Sequence, residues 1–320
     1  MRIFSEAHYE FIEKRKYAYV VSSVAIVISL AAMVANIFLI GSWQNYGVDF
    51  TGGSLIQVRF ETDVTAGDLR NALGGANAPE ITRFGEEHEF TIRAPVREGA
   101  SVDEVRQEMQ AQIGASFGEE NFEIREAELV SAKVGGELQR KAAFAIVFSF
   151  FLTLIYLAIR FELRFGLAAI IATLHDITIT LGFLALFRVE IALPTVAAIL
   201  TIVGYSLNDT IVVFDRVREN LGRKGGRKED PVALVDRSIN ETLPRTVLTS
   251  GTTLAVLMAL LILGGAVLRD FTLVLILGVL VGTYSSIFVA SPALLEIQRR
   301  WGTGESRADR KKKRSSAVPV

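Results

Sequence analysis

Long runs of apolar residues alternate with polar segments along most of this chain. Six of these runs reach about 18 residues or more, which is the length that an α-helix needs to cross the hydrocarbon core of a bilayer. They lie at 17–40, 142–159, 166–187, 193–214, 246–263 and 271–295. The first run is longer than the apolar part of a signal peptide and no small-residue cleavage site follows it, so we expect it to be retained. The pattern predicts an α-helical polytopic membrane protein with six transmembrane helices.

The pattern changes between the first two apolar runs, at 41–141. Four short strands are predicted there, the first from its alternation of apolar and polar positions, at 54–61, 79–84, 89–94 and 121–130. Helices are predicted at 64–73 and from Ser101, where Glu104 completes a capping box. The order β-α-β-β-α-β predicts an α+β domain with a ferredoxin-like fold between helices 1 and 2. A polar turn with one histidine, His88, separates the middle strands, and we interpret the domain as a binding or structural module.

Lysine and arginine are concentrated on one side of the predicted membrane helices. They precede helix 1, follow helix 2, and recur in the loop at 215–245 and the tail at 296–320, whereas the opposite short loops hold only Arg188 and Arg269. The positive-inside rule therefore predicts that both termini, 1–16 and 296–320, are cytoplasmic and that the inserted domain is extracytoplasmic. We interpret the basic tail as a topology anchor, with contact to anionic lipid or ribosomal RNA as the alternative.

Ionisable residues inside the predicted helices are the candidate functional residues, because a charge at membrane depth is costly. Asp209 lies in the fourth helix and Arg245 at the start of the fifth. Each belongs to a polar set whose members share one helical face. The sets are Thr201, Tyr205, Asn208 and Asp209, and Arg245, Thr249, Thr252 and Thr253. Because antiparallel helices bring Asp209 and Arg245 to similar depth, we predict a proton relay, with a static buried ion pair as the alternative.

His175 and Asp176, midway along the third helix, form a possible second polar site. A structural hydrogen-bonded role is favoured there over proton transfer, because adjacent residues on a helix point in different directions. The charges at Asp215, Arg216, Arg218 and Glu219 are interpreted as a solvated cluster at the end of the fourth helix.

Several kinds of chemistry have no support in the sequence. The chain of 320 residues contains no cysteine, which excludes disulfides and thiol chemistry. The Gly-rich basic stretch at 222–228 lacks the spacing of a P-loop and follows a helix rather than a strand. We expect no metal, no cofactor and no nucleic acid partner, and a membrane enzyme is the least favoured class.

Several motifs together resemble the SecD/SecF family of the bacterial protein-export apparatus, and in particular the smaller of its two members. They are VDFTGG at 48–53, LHD at 174–176, GYSLNDT at 204–210, VFDRVREN at 213–220 and SINETLPRT at 238–246. The resemblance covers nearly the whole chain, and it implies membership of the RND-type superfamily, in which two six-helix bundles are related by pseudo-symmetry.

The resemblance also implies a function and partners. SecD would supply the second bundle, the SecYEG channel, YajC and YidC would be further partners, and the proton motive force would complete the export of a preprotein through the bacterial inner membrane. The family's proton pathway corresponds here to Asp209 and Arg245, supported by Asn208, Tyr205 and the threonines of the fifth helix. The alternatives are an assembly subunit without ion coupling and an RND-type exporter of small molecules.

Overall fold

The computed structural model describes residues 8–75, 78–84, 88–94, 100–223, 229–265 and 268–301. Within these ranges six helical segments are long and apolar enough to cross a membrane, so the predicted number is confirmed. They are α1 Arg15–Ile40, α5 Ala132–Arg160, α6 Leu163–Phe187, α7 Leu193–Gly222, α8 Pro231–Leu263, and a sixth made of α9 Arg269–Ser285, a π-helical turn at Ser286–Ala290 and α10 Ser291–Trp301. Most of the predicted basic stretch (224–228 of 222–228), most of the tail (302–320) and part of the polar turn (85–87) lie outside the described residues.

Three helices extend beyond the predicted membrane segments. α5 begins at Ala132 rather than at position 142, and the Ser131 hydroxyl caps its first turn. α8 begins at Pro231 rather than at position 246, after the Asp230 side chain that caps it, and proline is favoured at a first helical position. α7 continues to Gly222, so the predicted loop at 215–245 is helical at both ends. Backbone hydrogen bonds and caps continue these helices past the point where the apolar runs stop.

Close approaches between membrane helices occur at glycines. α7 and α9 meet at Gly278, where a Cβ would overlap the side chain of Ile202. α1 and α6 meet at Gly182, where a Cβ would overlap Ser29. Small residues permit such contacts between helices in a membrane. About half of the residues of α6 and α7 are buried, whereas most of α5 faces outward, so the bundle is centred on α6 and α7.

A four-stranded antiparallel sheet lies in the segment between α1 and α5. Its elements are β1 Gly53–Phe60, α3 Ala66–Ala72, β2 Glu80–Arg83, β3 Glu89–Ala94, α4 Val102–Phe117 and β4 Phe122–Val130. The strand order is β2-β3-β1-β4, with Ile56 of β1 opposite Ile92 of β3. Alternate residues of β1 are buried, and they share a core with Ile113 of α4. α4 begins with the capping box that Ser101 and Glu104 predict.

The segment that leads into this sheet is bound to the connection between α6 and α7. Tyr46 pairs with Ile191 in a parallel bridge, in which the Gly47 N–H donates to the Ile191 carbonyl at 2.9 Å. Partial burial raises the pKa of the Tyr46 hydroxyl. A short helix, α2 Val48–Thr51, follows, and the backbone N–H of Leu193 donates to Asp49 Oδ2 at 2.8 Å. The first residue of α7 is therefore held by a side chain of the linker.

A charged contact also joins the sheet to this connection. Arg93, in β3, forms an ion pair with Glu190, which lies three residues before the start of α7. Gly135 of α5 lies against the backbone of α2, where a Cβ would come within 2.9 Å of the Phe50 carbonyl oxygen. The sheet domain is thus attached to the bundle at the starts of both α5 and α7.

Candidate functional site

Asp209 lies inside the bundle, on α7, with 2% of its surface exposed. Its carboxylate oxygen Oδ2 accepts a hydrogen bond of 3.4 Å from the Ser250 hydroxyl of α8. Ser250 is in turn 2.7 Å from the Thr283 hydroxyl of α9 and accepts a hydrogen bond of 3.3 Å from Tyr205. A chain of hydroxyl groups from three helices therefore ends at the Asp209 carboxylate.

Arg245 lies on α8 at the surface of the bundle, close enough to Asp209 for the two charges to interact. Its side chain is exposed, and among the described residues it forms no ion pair with Asp209 or with another carboxylate. The structure thus places the two members of the predicted relay on the same pair of helices, within electrostatic range of each other but without a direct ion pair among the described residues. The hydrogen bond from α8 to Asp209 comes from the neutral hydroxyl group of Ser250.

The predicted supporting residues divide into three groups. Tyr205 contacts the hydroxyl chain, as described above. The hydroxyls of Thr249, Thr252 and Thr253 instead donate to carbonyls of their own helix, at 3.0, 2.8 and 2.8 Å, which is a common alternative for threonine in helices. Asn208 is exposed, and its side-chain amide lies within hydrogen-bonding reach of the Asp209 carboxylate.

His175 and Asp176 form a second polar cluster that joins four helical segments. Asp176 is fully buried, and its Oδ1 lies 2.8 Å from His175 Nδ1. Its Oδ2 accepts hydrogen bonds from the Ser206 hydroxyl of α7 and, at 2.7 Å, from the Ser285 hydroxyl of α9. His175 Nε2 lies 3.0 Å from the Ser22 hydroxyl of α1. The two adjacent side chains thus bond directly to each other while each also contacts a different neighbouring helix.

The two clusters share helices and lie close together along them. Ser206 is three residues from Asp209 on α7, and Ser285 is two residues from Thr283 on α9. The π-helical turn begins at the next residue, Ser286, whose carbonyl accepts a hydrogen bond of 2.9 Å from the Ser291 hydroxyl. Such turns frequently occur at functional sites.

Four hydroxyl residues of these clusters were not predicted from the sequence. They contact the two buried carboxylates or extend the chain of hydroxyl groups, and they are Ser206, Ser250, Thr283 and Ser285. The available signal was weak, because small hydroxyl residues are common at interfaces between membrane helices.

The cluster predicted at the end of the fourth helix is a surface network. Arg216 pairs with both Glu219 and Glu241, and Arg160 of α5 pairs with Asp215 at 2.9 Å. Arg218 lies 3.5 Å from Asp215. These partly exposed pairs join the ends of α5, α7 and α8. Across the described ranges, no three His, Cys, Asp or Glu residues come together as a metal site would need.

Comparison with known proteins gives consistent family matches. A family model described as "Protein export membrane protein SecD/SecF, C-terminal" matches residues 109–300, and one described as "SecD/SecF GG Motif" matches residues 45–64. The protein translocase subunit SecF of Gemmatimonas aurantiaca is 44% identical over 94% of this chain and 90% of its own length. The SecF subunit of Vibrio alginolyticus is 43% identical over 86% of this chain and 88% of its own length.

Solved structures of larger proteins are also similar. The crystal structure of SecDF from Thermus thermophilus, described as a translocon-associated membrane protein, matches with a TM-score of 0.78 and 38% identity over 94% of this chain. A SecDF crystal structure in a super-membrane-facing form matches with a TM-score of 0.65 and 36% identity over 98% of this chain. In both cases this chain spans 40% of the length of the SecDF chain.

Proposed function

We propose a role in proton-driven protein export for this chain, which belongs to the SecD/SecF family of protein-export membrane proteins. Within that family it is a SecF-type subunit of the protein translocase. Our proposal is that Asp209 takes up and releases a proton, and that the resulting change in helix contacts moves the sheet domain against an emerging preprotein.

One continuous helix, α7, is the observation that carries this proposal. It bears Asp209 in its buried middle, and its first N–H is held by Asp49 from the linker to the sheet domain. The 16 residues from Leu193 to Asp209 correspond to about 24 Å of helix. A tilt or rotation of α7 at Asp209 would therefore be carried to the domain.

Protonation of Asp209 can change the contacts between helices through the chain of hydroxyl groups. An ionised carboxylate only accepts hydrogen bonds, whereas the protonated acid also donates one. When Asp209 gains a proton, the Ser250 hydroxyl is no longer its required donor, and Ser250 can reorient toward Thr283. The contact between α7, α8 and α9 would then rearrange, and Arg245, whose charge interacts with that of Asp209, would respond to the loss of that charge.

An uncovered polar face supports a second bundle as partner. Asn208 on α7 and Arg245 and Thr252 on α8 are exposed, next to apolar residues such as Leu248, which is 53% exposed. Polar groups at membrane depth normally face protein or a water-filled cavity. We infer that a SecD-type six-helix bundle of the RND type covers this face and brings its own carboxylate to Arg245. The SecDF structures, which extend well beyond the part that this chain matches, support that inference.

The sheet domain is proposed to be ferredoxin-like and extracytoplasmic, occupying residues 41–141. Its strand order, with β1 and β3 in the middle and β2 and β4 at the edges, is the order expected of a β-α-β-β-α-β domain. The positive-inside bias supports cytoplasmic termini and an inner-membrane location. The SecYEG channel, YajC, YidC and the translocating preprotein are the proposed partners beyond SecD, on the family resemblance.

The substitution Asp209→Asn tests the proposal. In proteoliposomes that contain the channel and both subunits, it should abolish the part of translocation that depends on a proton gradient while leaving the amount of co-purified SecD-type subunit unchanged. Asp215→Asn, in the surface network of the same helix, is the matched control and should export normally. Replacing the proton gradient by a sodium gradient identifies the coupling ion.

Two outcomes would contradict this function. Normal gradient-dependent export by the Asp209→Asn variant would exclude Asp209 as the coupling group. Loss of the complex itself, with normal export by whatever complex remains, would identify the chain as an assembly subunit.

A further inference from the structure

A cavity of about 1010 Å³ opens between α1, α6 and α10, away from the two relay residues. Its mouth is lined by Arg15 of α1 and by Arg299 and Arg300 of α10. Deeper in, the walls are mainly apolar, with Ile26, Leu174, Val289 and Ile297 among the lining residues. The cavity thus combines a basic rim with an apolar interior at one end of the membrane bundle.

The rim has an excess of positive charge. Glu296 is the acidic lining residue, and it pairs with Arg300 at 3.0 Å. Within the part of the chain that the structure describes, the Arg299 side chain has no hydrogen-bond or ion-pair partner. Arg15 donates to the Ile12 carbonyl at 3.2 Å, which uses only one of its five N–H groups. At least two guanidinium groups are therefore available to an anion.

We propose that this cavity binds one anionic phospholipid, with the phosphate at Arg15, Arg299 and Arg300 and an acyl chain along the apolar wall. Guanidinium groups recognise phosphate through paired hydrogen bonds. Basic pockets between transmembrane helices on the cytoplasmic side are typical sites for anionic headgroups. The volume is at the upper end of the range for small-molecule sites, which leaves room for a headgroup and part of a chain.

The bound lipid would meet the second polar cluster at the inner end of the cavity. Ser22 and His175 both line it, and they are the two residues through which α1 joins the Asp176 cluster. An acyl chain there excludes water from the His175 side of the cluster and holds α1 against α6. Because neither Asp209 nor Arg245 lines the cavity, this site does not depend on the proposed proton relay.

The test uses the purified full-length chain and native mass spectrometry. The probes are 1-palmitoyl-2-oleoyl-phosphatidylglycerol, the matching phosphatidylcholine, and inorganic phosphate. We expect tighter binding of phosphatidylglycerol than of phosphatidylcholine, and affinity that falls about fivefold for each arginine changed, as in Arg299→Gln and Arg15→Gln. Ala293→Trp, which narrows the apolar wall, should also weaken binding. The matched control is Arg223→Gln with Arg237→Gln, two exposed arginines outside the cavity, which should bind phosphatidylglycerol like the unchanged chain.

Three results would overturn the proposal. Equal binding of the two lipids would show a non-selective annular contact. Binding of inorganic phosphate with the same dependence on the arginines, and no effect of Ala293→Trp, would show a free-anion site instead. Lipid that binds the isolated chain but is absent from the chain purified with its SecD-type partner would show that protein fills the cavity in the complex.

Discussion

The Asp49 carboxylate accepts a hydrogen bond of 2.8 Å from the backbone N–H of Leu193, although 144 positions separate the two residues. Asp49 belongs to the linker that enters the sheet domain, and Leu193 begins the helix that carries Asp209. A negative side chain at a helix N-terminus satisfies an otherwise unpaired N–H and interacts favourably with the helix dipole. The contact therefore stabilises α7 and joins it to the domain at the same time.

Replacing Asp49 should uncouple the two parts of the molecule. Asp49→Ala removes the cap and should lower stability by about 1 kcal/mol, with a larger fractional loss of gradient-driven translocation. Asp49→Asn keeps an oxygen acceptor but not the charge, so it should fall between Asp49→Ala and the unchanged chain. Thermal unfolding in detergent and translocation in proteoliposomes measure the two effects.

Thr65→Ala is the control for Asp49, because it removes the cap of α3 inside the sheet domain. It should cost a similar amount of stability and leave translocation unchanged. If both variants lower translocation equally, stability of the domain is responsible rather than the link to α7.

Ser250→Ala should affect Asp209 directly. It removes the hydroxyl that donates to the buried carboxylate, and leaving a buried polar group without its partner costs about 1–3 kcal/mol. We expect a lower melting temperature and reduced gradient-driven translocation, both largely restored in Ser250→Thr. Thr252→Ala, which removes a hydroxyl bonded only within its own helix, should change stability by less than about 0.5 kcal/mol. A Ser250→Ala variant that matches Thr252→Ala in melting temperature would contradict the described role of Ser250.

Asp176→Ala should be more damaging to stability than any change at Asp209. It breaks a fully buried cluster that holds α6 to α7 and α9, and such losses cost about 3–5 kcal/mol. Ser206→Ala and Ser285→Ala should each cost less, and their effects should not add, because both hydroxyls bond to the same oxygen. Denaturation of the three variants and of the double serine variant checks this. Simple additivity of the serine changes would show that they act independently of Asp176.

A disulfide between positions 46 and 191 should form readily and preserve function. The chain has no cysteine, so Tyr46→Cys with Ile191→Cys introduces a single possible bridge. The two residues are partners in a β-bridge, which brings them to the separation that disulfides require. Because we propose that the linker and the start of α7 move as one body, translocation should be unchanged after oxidation. Activity that is lost on oxidation and restored by a reductant would show that this junction must open.

The membrane helices could be predicted because lipid imposes a simple requirement on the chain. A span of about 20 apolar residues is needed to cross the bilayer, and this requirement identified six segments. It also made Asp176 and Asp209 conspicuous, because they are ionisable residues inside apolar segments. The caps at Ser101 and Glu104 were equally readable, since both partners lie within one helical turn.

The contacts of these residues could not be predicted in the same way. They depend on the rotation and depth of each helix relative to its neighbours, which the composition of one helix does not determine. The offsets that place Arg245 on one face of α8 do not determine which residue of that helix donates a hydrogen bond to Asp209, and in the structure that donor is Ser250. The hydrogen bond between Asp49 and Leu193 was still harder to predict, because nothing near Asp49 in the sequence indicates its partner.

The uncovered polar face formed by Asn208, Arg245 and Thr252 has a consequence for the life of the protein in the cell. On the proposed partner interface, a copy synthesised without its partner would expose amide, guanidinium and hydroxyl groups to lipid, and we expect such an orphan subunit to be degraded by membrane quality control. Its abundance should therefore follow that of the partner, so that the ratio of the two chains is set by degradation of the unassembled excess as well as by their rates of synthesis.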